Sequence, residues 1–415
     1  MATAGPVGER ERVAEMDILR GVALLGVLLM NFAAFAGQGW MATEAQLKSL
    51  PTYSIDWWAY EAVRLFVGDK ANTVFATLFG LGFYIQMTRG EGKPGFEARY
   101  RRRLFWLLLF GWLNSIFLWV WDILNLYALA GFFLLLTRRW STRTLVIFGT
   151  VAALYSDKLQ EWLVEVLAIP RHDTAFLFTD AAVLERQAAA VSGSYWDNVL
   201  SMWEVTWNEW LLGGVMIAWV VYALGRFALG AAIGRSGILE NVDAHLPLLR
   251  RIAKIAIPLG LVIGLFIRLV VRDGIDLPGE AASWKAFAGI IRSPAAIILA
   301  AGYCAGIVVA LRSRWGRRIF APFGAVGRMA LTNYLAQGFI YAFVLFGVGP
   351  GLGLAGKIGS FAVVLICFAF FAGQIAFSHW WLARYRFGPM EWVWRTLTYG
   401  ERPIMKREPS VPLAA

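Results

Sequence analysis

Apolar residues recur along this chain in long runs separated by short polar stretches, and the length of the runs sets the first reading. A helix needs about 20 mostly apolar residues to cross the hydrocarbon core of a bilayer. Runs at 18–36, 71–87, 104–121, 123–136, 144–155, 210–230, 252–271, 287–311, 330–348 and 358–382 approach that length. They predict an all-α, polytopic membrane bundle that crosses about ten times. The fourth and fifth runs are short, and the single polar residue Asp122 between the third and fourth predicts a tight helical hairpin. Residues 37–70 are too polar to cross. Trp57, Trp58, Tyr60, Val63 and Phe66 nevertheless share a helical face there, which predicts an interfacial helix. Similar short helices are expected around 159–167 and 196–207, and the chain from Pro403 onward reads as a loose end.

Composition agrees with the pattern. Apolar residues make up 59% and charged residues 16% of 415 positions, with 20 Trp and 29 Phe. A soluble chain needs about a quarter of its residues charged to cover its surface, so much of this surface is expected to face lipid, with aromatic rings in the interfacial belts. The net charge of +11 does not point to nucleic acid, because no basic stripe with interleaved aromatics lies outside the apolar runs. Lys and Arg instead gather in every second connection: Arg89 to Arg103, Arg138 to Arg143, Arg235 to Lys254, Arg312 to Arg318, and the tail from Arg384. The long connection 156–209 holds nine acids against Lys158, Arg171 and Arg186. That alternation places both termini on the cytoplasmic side. The expected organisation is a cytoplasmic segment 1–17, a transmembrane domain 18–382 with outer segments 37–70 and 156–209, and a cytoplasmic tail 383–415. Arg10, Arg12 and the run to Met30 ending in Ala34-Phe35-Ala36 also fit a secretory signal, although Asp17 and Arg20 at the membrane edge are unusual for one.

Polar groups at membrane depth are costly and mark candidate sites. Asp17 and Arg20 share a face of the first span. Asn31 returns to nearly that face eleven residues after Arg20. Arg64, Asp69, Lys70 and Asn72 cluster where the outer segment meets the second span, Arg268 and Arg272 end the seventh, and Arg292 sits in the eighth. If those helices are neighbours, the cations line an outward-facing pocket for an anionic or polar group; the competing reading is snorkelling to lipid phosphates. Thr332, Asn333 and Gln337 in span nine serve equally as helix-to-helix hydrogen bonds or as substrate contacts. His172, His245 and His379 all lie away from Asn31. No nucleophile elbow, phosphate-cradling loop or metal-ligand spacing occurs, so neither a metal nor a bound cofactor is expected. Cys304 and Cys367 read as small buried hydrophobes.

Four ordered motifs carry a resemblance: DILRGVALLG at 17–26 ending in Asn31, FVGDKANTVFATLFGLG at 66–82, GRMALTNYLAQ at 327–337 and RFGPMEWVWRTLTYGER at 386–402. Together they resemble the YeiB-like family, domain of unknown function 418, over about residues 14–407. The resemblance implies a protein of the bacterial cytoplasmic (inner) membrane, grouped with transmembrane acyltransferases that move an acyl group, commonly from acyl-CoA, onto an extracytoplasmic sugar. The spacing from Arg20 to Asn31 is similar to the Arg-x10-His element of the acetylases, with Asn31 in the histidine position. An amide cannot serve as the general base for a hydroxyl acceptor.

Two functions from different classes meet these features. One is a transmembrane acyltransferase using an envelope glycan or lipid-linked sugar. Arg20 and Lys70 would hold the substrates, Asn31 would orient the acceptor or stabilise an oxyanion, and Asp69, His172 or a substrate group would act as base. The other is a transporter of a small amphiphile or anion with Arg268, Arg292, Asn333 and Gln337 on the path. A non-catalytic envelope protein is a third. Membrane lipids are the expected partners in every case.

Overall fold

In a computed structural model, residues 13–35, 40–168, 173–271, 281–345 and 351–407 of the chain are described, and their regular elements are helices. In chain order these are α1 Ala14–Phe35, α2 Glu44–Ser49, α3 Tyr53–Phe66, α4 Lys70–Gly90, α5 Phe96–Phe117, α6 Leu124–Leu136 and α7 Thr142–Leu154. There follow α8 Ser156–Val166, α9 Asp180–Val191, α10 Tyr195–Val205, α11 Val215–Arg235, α12 Val242–Val271 and α13 Ala281–Ala310. The last five are α14 Arg314–Phe320, α15 Phe323–Arg328, α16 Ala330–Ile340, α17 Ser360–Arg384 and α18 Pro389–Tyr399. Four of them, α11, α12, α13 and α17, are long and apolar enough to cross a membrane.

Each of the ten apolar runs forms a helix, but with shifted ends. The sixth is preceded by a π-helical segment, Thr206–Leu212, so α11 starts five residues beyond the expected Trp210. The ninth run is broken, since α16 ends at Ile340 and Tyr341–Leu345 is π-helical. The interfacial helix expected from the aromatic face is α3: Val63 is buried, whereas Trp58 is 68% exposed. The two short outer helices appear as α8 and α10.

The basic connections meet at one end of the bundle, tied by named contacts. Arg138 pairs with Glu97, which brings the end of α6 to the start of α5. Arg235 at the end of α11 donates to the carbonyls of Trp140 and Arg138. Arg312 after α13 bridges Glu15 of α1 and Asp243 of α12 at 2.9 and 2.8 Å. The far end holds α3 and α8 to α10. Asp56 of α3 accepts from the backbone of Phe361 at 2.9 Å, and the Tyr195 hydroxyl of α10 donates to the carbonyl of Phe117.

The expected hairpin at Asp122 is present and has a cause. The Asp122 carboxylate accepts from the backbone N–H groups of Leu124 and Asn125 at 2.7 and 3.1 Å and from the Asn114 amide at 2.8 Å. It thereby caps α6 and fastens it to α5. Gly111 lets the two helices touch, because a Cβ there would lie 2.2 Å from the Asn125 nitrogen.

The tail corrects the reading of a loose end from Pro403. Tyr385 and Lys406 form an antiparallel bridge, Arg386 donates to Met405 at 2.9 Å and Arg407 to Arg384 at 3.0 Å. The Trp392 indole also donates to Pro403. Residues 403–407 thus strap α18 against the end of α17, and the absence of an apolar run there had concealed it.

Candidate functional site

A cavity of about 1100 Å³ opens at the basic end. Its cations are Arg20, Arg89, Lys93, Arg99, Arg103, Arg328 and Arg395, and its carboxylates are Asp17 and Glu391. Deeper in, Phe75, Phe79, Leu107, Leu124, Tyr127, Leu331 and Tyr334 replace charge with apolar and aromatic surface. Along α4 the lining runs from Arg89 back to Phe75, fourteen residues or roughly 21 Å of helix. Charge at the mouth and rings at the floor suit an anionic head with an apolar or weakly polar extension.

The walls come from the four motifs picked out in the sequence, and close helix contacts explain how. Gly21 of α1 and Gly327 of α15 meet backbone to backbone: a Cβ on Gly327 would lie 1.8 Å from the Asp17 carbonyl, and one on Gly21 2.1 Å from that of Phe323. This crossing delivers Arg20, whose guanidinium donates to Asp17 at 3.1 Å, to the wall opposite α4. There Gly82 leaves room for the Arg20 guanidinium 3.2 Å from the position of its missing Cβ.

Glu391 of α18 then joins the third and fourth motifs. Its carboxylate accepts from the backbone N–H groups of Leu331 and Thr332 at 2.6 and 3.1 Å and from the Thr332 hydroxyl at 2.6 Å. These are donors at the start of α16 that the helix itself cannot satisfy. Burial pushes the Glu391 carboxyl above its ordinary range, against the pull of those same hydrogen bonds. Three residues on, Trp394 donates to the Arg103 carbonyl at 2.9 Å while the Arg103 guanidinium lies 3.6 Å from its ring. That stacking fixes a cation at the rim.

A second cavity of about 270 Å³ lies toward the far end, bordered by Arg64, Asp69, Lys70, Arg268 and Arg292. The structure therefore gathers Asp69, Lys70, Arg268 and Arg292 from three separate stretches of sequence. Asp69 has a positive φ of 62°, a conformation that Asp tolerates better than most residues, and it turns the chain sharply into α4. Met30 lines this cavity and accepts from the Asn72 amide at 3.8 Å. The Tyr127 hydroxyl at the floor of the large cavity donates to the Asn72 carbonyl at 3.4 Å. The first turn of α4 thus separates the two spaces.

The other expected site residues fall elsewhere. Asn31 lines neither cavity; it reaches the Tyr341 hydroxyl. Asn333 and Gln337 face α17: the Asn333 amide donates to Ser378 at 3.0 Å, and that of Gln337 to Gln374 at 3.3 Å. These bonds tie α16 to α17. Arg272 and His172 lie outside the described residues.

Residues 233–401 match the family described as "Protein of unknown function (DUF418)". The chain is 31% identical to "Uncharacterized protein YxaH" of Bacillus subtilis (strain 168), over 98% of this chain and 99% of that relative. The chain belongs to the YeiB-like DUF418 family. It is also 29% identical to "Uncharacterized protein YeiB" of Escherichia coli (strain K12), over 94% of this chain and 96% of the relative. A third relative, "Uncharacterized 39.9 kDa protein in amylase 3'region" of Bacillus acidopullulyticus, is 24% identical over 97% of this chain. The DUF418 match begins at the end of α11 and includes the third motif and all but the last residue of the fourth, whereas Arg20 and α4 come from the part that the full-length relatives align.

Several residues that build or brace this DUF418 site carry little signal in the sequence. Arg226 is completely buried inside α11, donates from Nε to Thr73 at 2.9 Å and lies 3.2 Å from the Tyr222 ring. A cation inside an apolar run was the available signal. Arg103 reads from sequence as a topology charge, and Arg328, Glu391 and Tyr334 only as parts of motifs. The Tyr334 hydroxyl accepts from the Ile123 backbone at 3.1 Å and hydrogen-bonds Asp122, which joins the cavity floor to the hairpin.

Proposed function

We propose that this DUF418 protein is a multi-pass protein of the bacterial inner membrane whose basic cavity opens to the cytoplasm. In that cavity it binds a phosphorylated acyl carrier, acyl-CoA being the type, as the donor of a transmembrane acyl transfer onto an envelope glycan or lipid-linked sugar. The observation carrying this reading is that all four motifs meet around one cavity where seven cations face two carboxylates. Arginine forks suit phosphate groups, and Arg20, Arg328 and Arg103 are distributed around the mouth to hold several at once. The aromatic floor takes the pantetheine and acyl portion. In the transfer, the acceptor hydroxyl attacks the thioester carbonyl, a C–O bond forms as the C–S bond breaks, and the departing thiolate takes the hydroxyl proton. Asn31 has no part in this version, since it lies outside the cavity.

The second cavity favours a second reading, a transporter whose path runs past Asn72 and Tyr127. The two readings differ in their need for CoA. Purified protein should bind a nonhydrolysable acyl-CoA, and Arg20→Gln and Arg328→Gln should each weaken it about tenfold or more. Isothermal titration in detergent measures this; affinity unchanged in both variants, or no binding by wild type, refutes the donor reading.

The ten-span arrangement, with both ends cytoplasmic, is tested by thiol labelling in a chain lacking Cys304 and Cys367. Arg139→Cys should react only when a membrane-impermeant maleimide reaches the cytoplasmic face, and Trp196→Cys only from outside. The reverse pattern would invert the orientation.

A further inference from the structure

The small cavity at the far end concentrates positive charge in an unusual setting. Lys70 is 9% exposed, and its ammonium donates to the Arg64 carbonyl at 3.1 Å. An ammonium carries three donors, and the other two have no acceptor among the described residues. Arg268 pairs with Glu61 only at 3.5 Å, and Arg292 and Arg64 complete four cations on the wall against Asp69. Holding a buried ammonium beside other cations is costly unless an anion neutralises them. The cavity is too small for a nucleotide carrier but has room for a phosphate and a small polar group.

The flanks say what else the ligand carries. On α12, Gly264 and Arg268 line the cavity while the next residues, Leu265 and Leu269, are exposed. On α13, Ile290 is 64% exposed two positions before Arg292. Both helices are apolar enough to face lipid, so the cavity lies beside a surface suited to acyl or prenyl chains.

The geometry points to this cavity as a binding site for the phosphate of a membrane lipid, its head held by Lys70, Arg268 and Arg292 and its chain lying along α12 and α13. The site is distinct from the donor cavity and deepens the functional reading by naming a phosphate-bearing lipid as the class of molecule taken up at the far end. A lipid-linked sugar with a phosphate next to its chain has this chemistry.

The test uses the full chain in detergent micelles doped with phosphatidic acid, phosphatidylcholine or neither, with lipid retention read by native mass spectrometry. Wild type should keep phosphatidic acid, and Lys70→Gln and Arg268→Gln should each lower retention about tenfold, whereas Arg292→Lys, which keeps the charge, should lose less. Lys70→Met checks folding, because it removes the buried charge without shortening the chain; it should melt no lower than wild type in lipid-free detergent yet fail to retain phosphatidic acid. Equal retention by wild type and the Lys70 and Arg268 variants would overturn the site. So would loss of retention in Arg20→Gln or Arg328→Gln, which would move the lipid to the basic cavity. If inorganic phosphate raises the melting temperature as much as phosphatidic acid does, the site takes a free anion and the lipid assignment falls.

Discussion

Glu391→Ala should destabilise the protein by about 3 to 5 kcal/mol, because it strips the start of α16 of its cap and leaves two buried backbone donors unsatisfied. The Leu331 and Thr332 N–H groups and the Thr332 hydroxyl all lose their acceptor at once. The effect reaches the cavity, since α16 supplies Leu331 and Tyr334 to its wall and α18 supplies Trp394 and Arg395. Denaturation in detergent should show the loss, and acyl-CoA affinity should fall with it. Glu391→Gln keeps an acceptor for both N–H groups and should cost less than half as much; equal losses in the two variants would exclude the capping explanation. The pH dependence has a definite sign. The folded carboxyl is raised above its ordinary value of 4.5, so its contribution is fully present below that value and is lost as pH rises through the folded one. Wild type should therefore gain stability relative to Glu391→Gln as pH is lowered from neutral toward that ordinary value.

Gly327→Val should be as damaging by a different route. The missing Cβ at this position would sit 1.8 Å from the Asp17 carbonyl and 2.9 Å from the Gly21 nitrogen. Both are backbone atoms, so no side-chain rotation relieves the clash. Overpacking that can be relaxed costs about 1 to 3 kcal/mol, and this crossing, with no route to relax, should lie at or beyond the upper end. Moving α1 away from α15 also shifts Arg20, so binding at the basic cavity should fall even in the folded fraction. Gly373→Ala is the control. Nothing lies within 4 Å of its added methyl, and alanine in a helix should stabilise by up to about 1 kcal/mol. Gly327→Ala should already be clearly destabilising beside it; similar melting curves for the two alanine variants would show that the crossing is looser than described.

These two positions also show what the sequence could reveal. Helices were legible because their signal is local: each apolar run reports itself, and basic connections report which end they join. The cavity was not, because it depends on contacts between residues far apart in the chain. Glu391 reads as one residue of a motif until α18 is placed beside α16. Gly327 reads as a small residue before a helix until Asp17 is seen against it. Arg226 was lost because the apolar run around it averages its charge away, and its partner Thr73 lies on another helix. The clustering of Lys70, Arg268 and Arg292 was anticipated only conditionally, on helices being neighbours. Asn333 and Gln337 suit two roles from sequence, and the structure adds their bonds to Ser378 and Gln374 on α17.

One helix, α4, forms a wall of both cavities, Lys70 at one end and Phe75 to Gly90 at the other. It is also locked to α11 along its middle: a Cβ on Gly80 would lie 2.0 Å from the Phe227 carbonyl, and one on Gly230 2.0 Å from that of Thr77. Such a pair moves as a rigid body or not at all. A ligand that draws α4 along its axis at one cavity therefore changes the shape of the other, and linkage requires the influence to be equal in both directions. The two cavities share a single mechanical part, so occupancy of one would be felt at the other without anything passing between them.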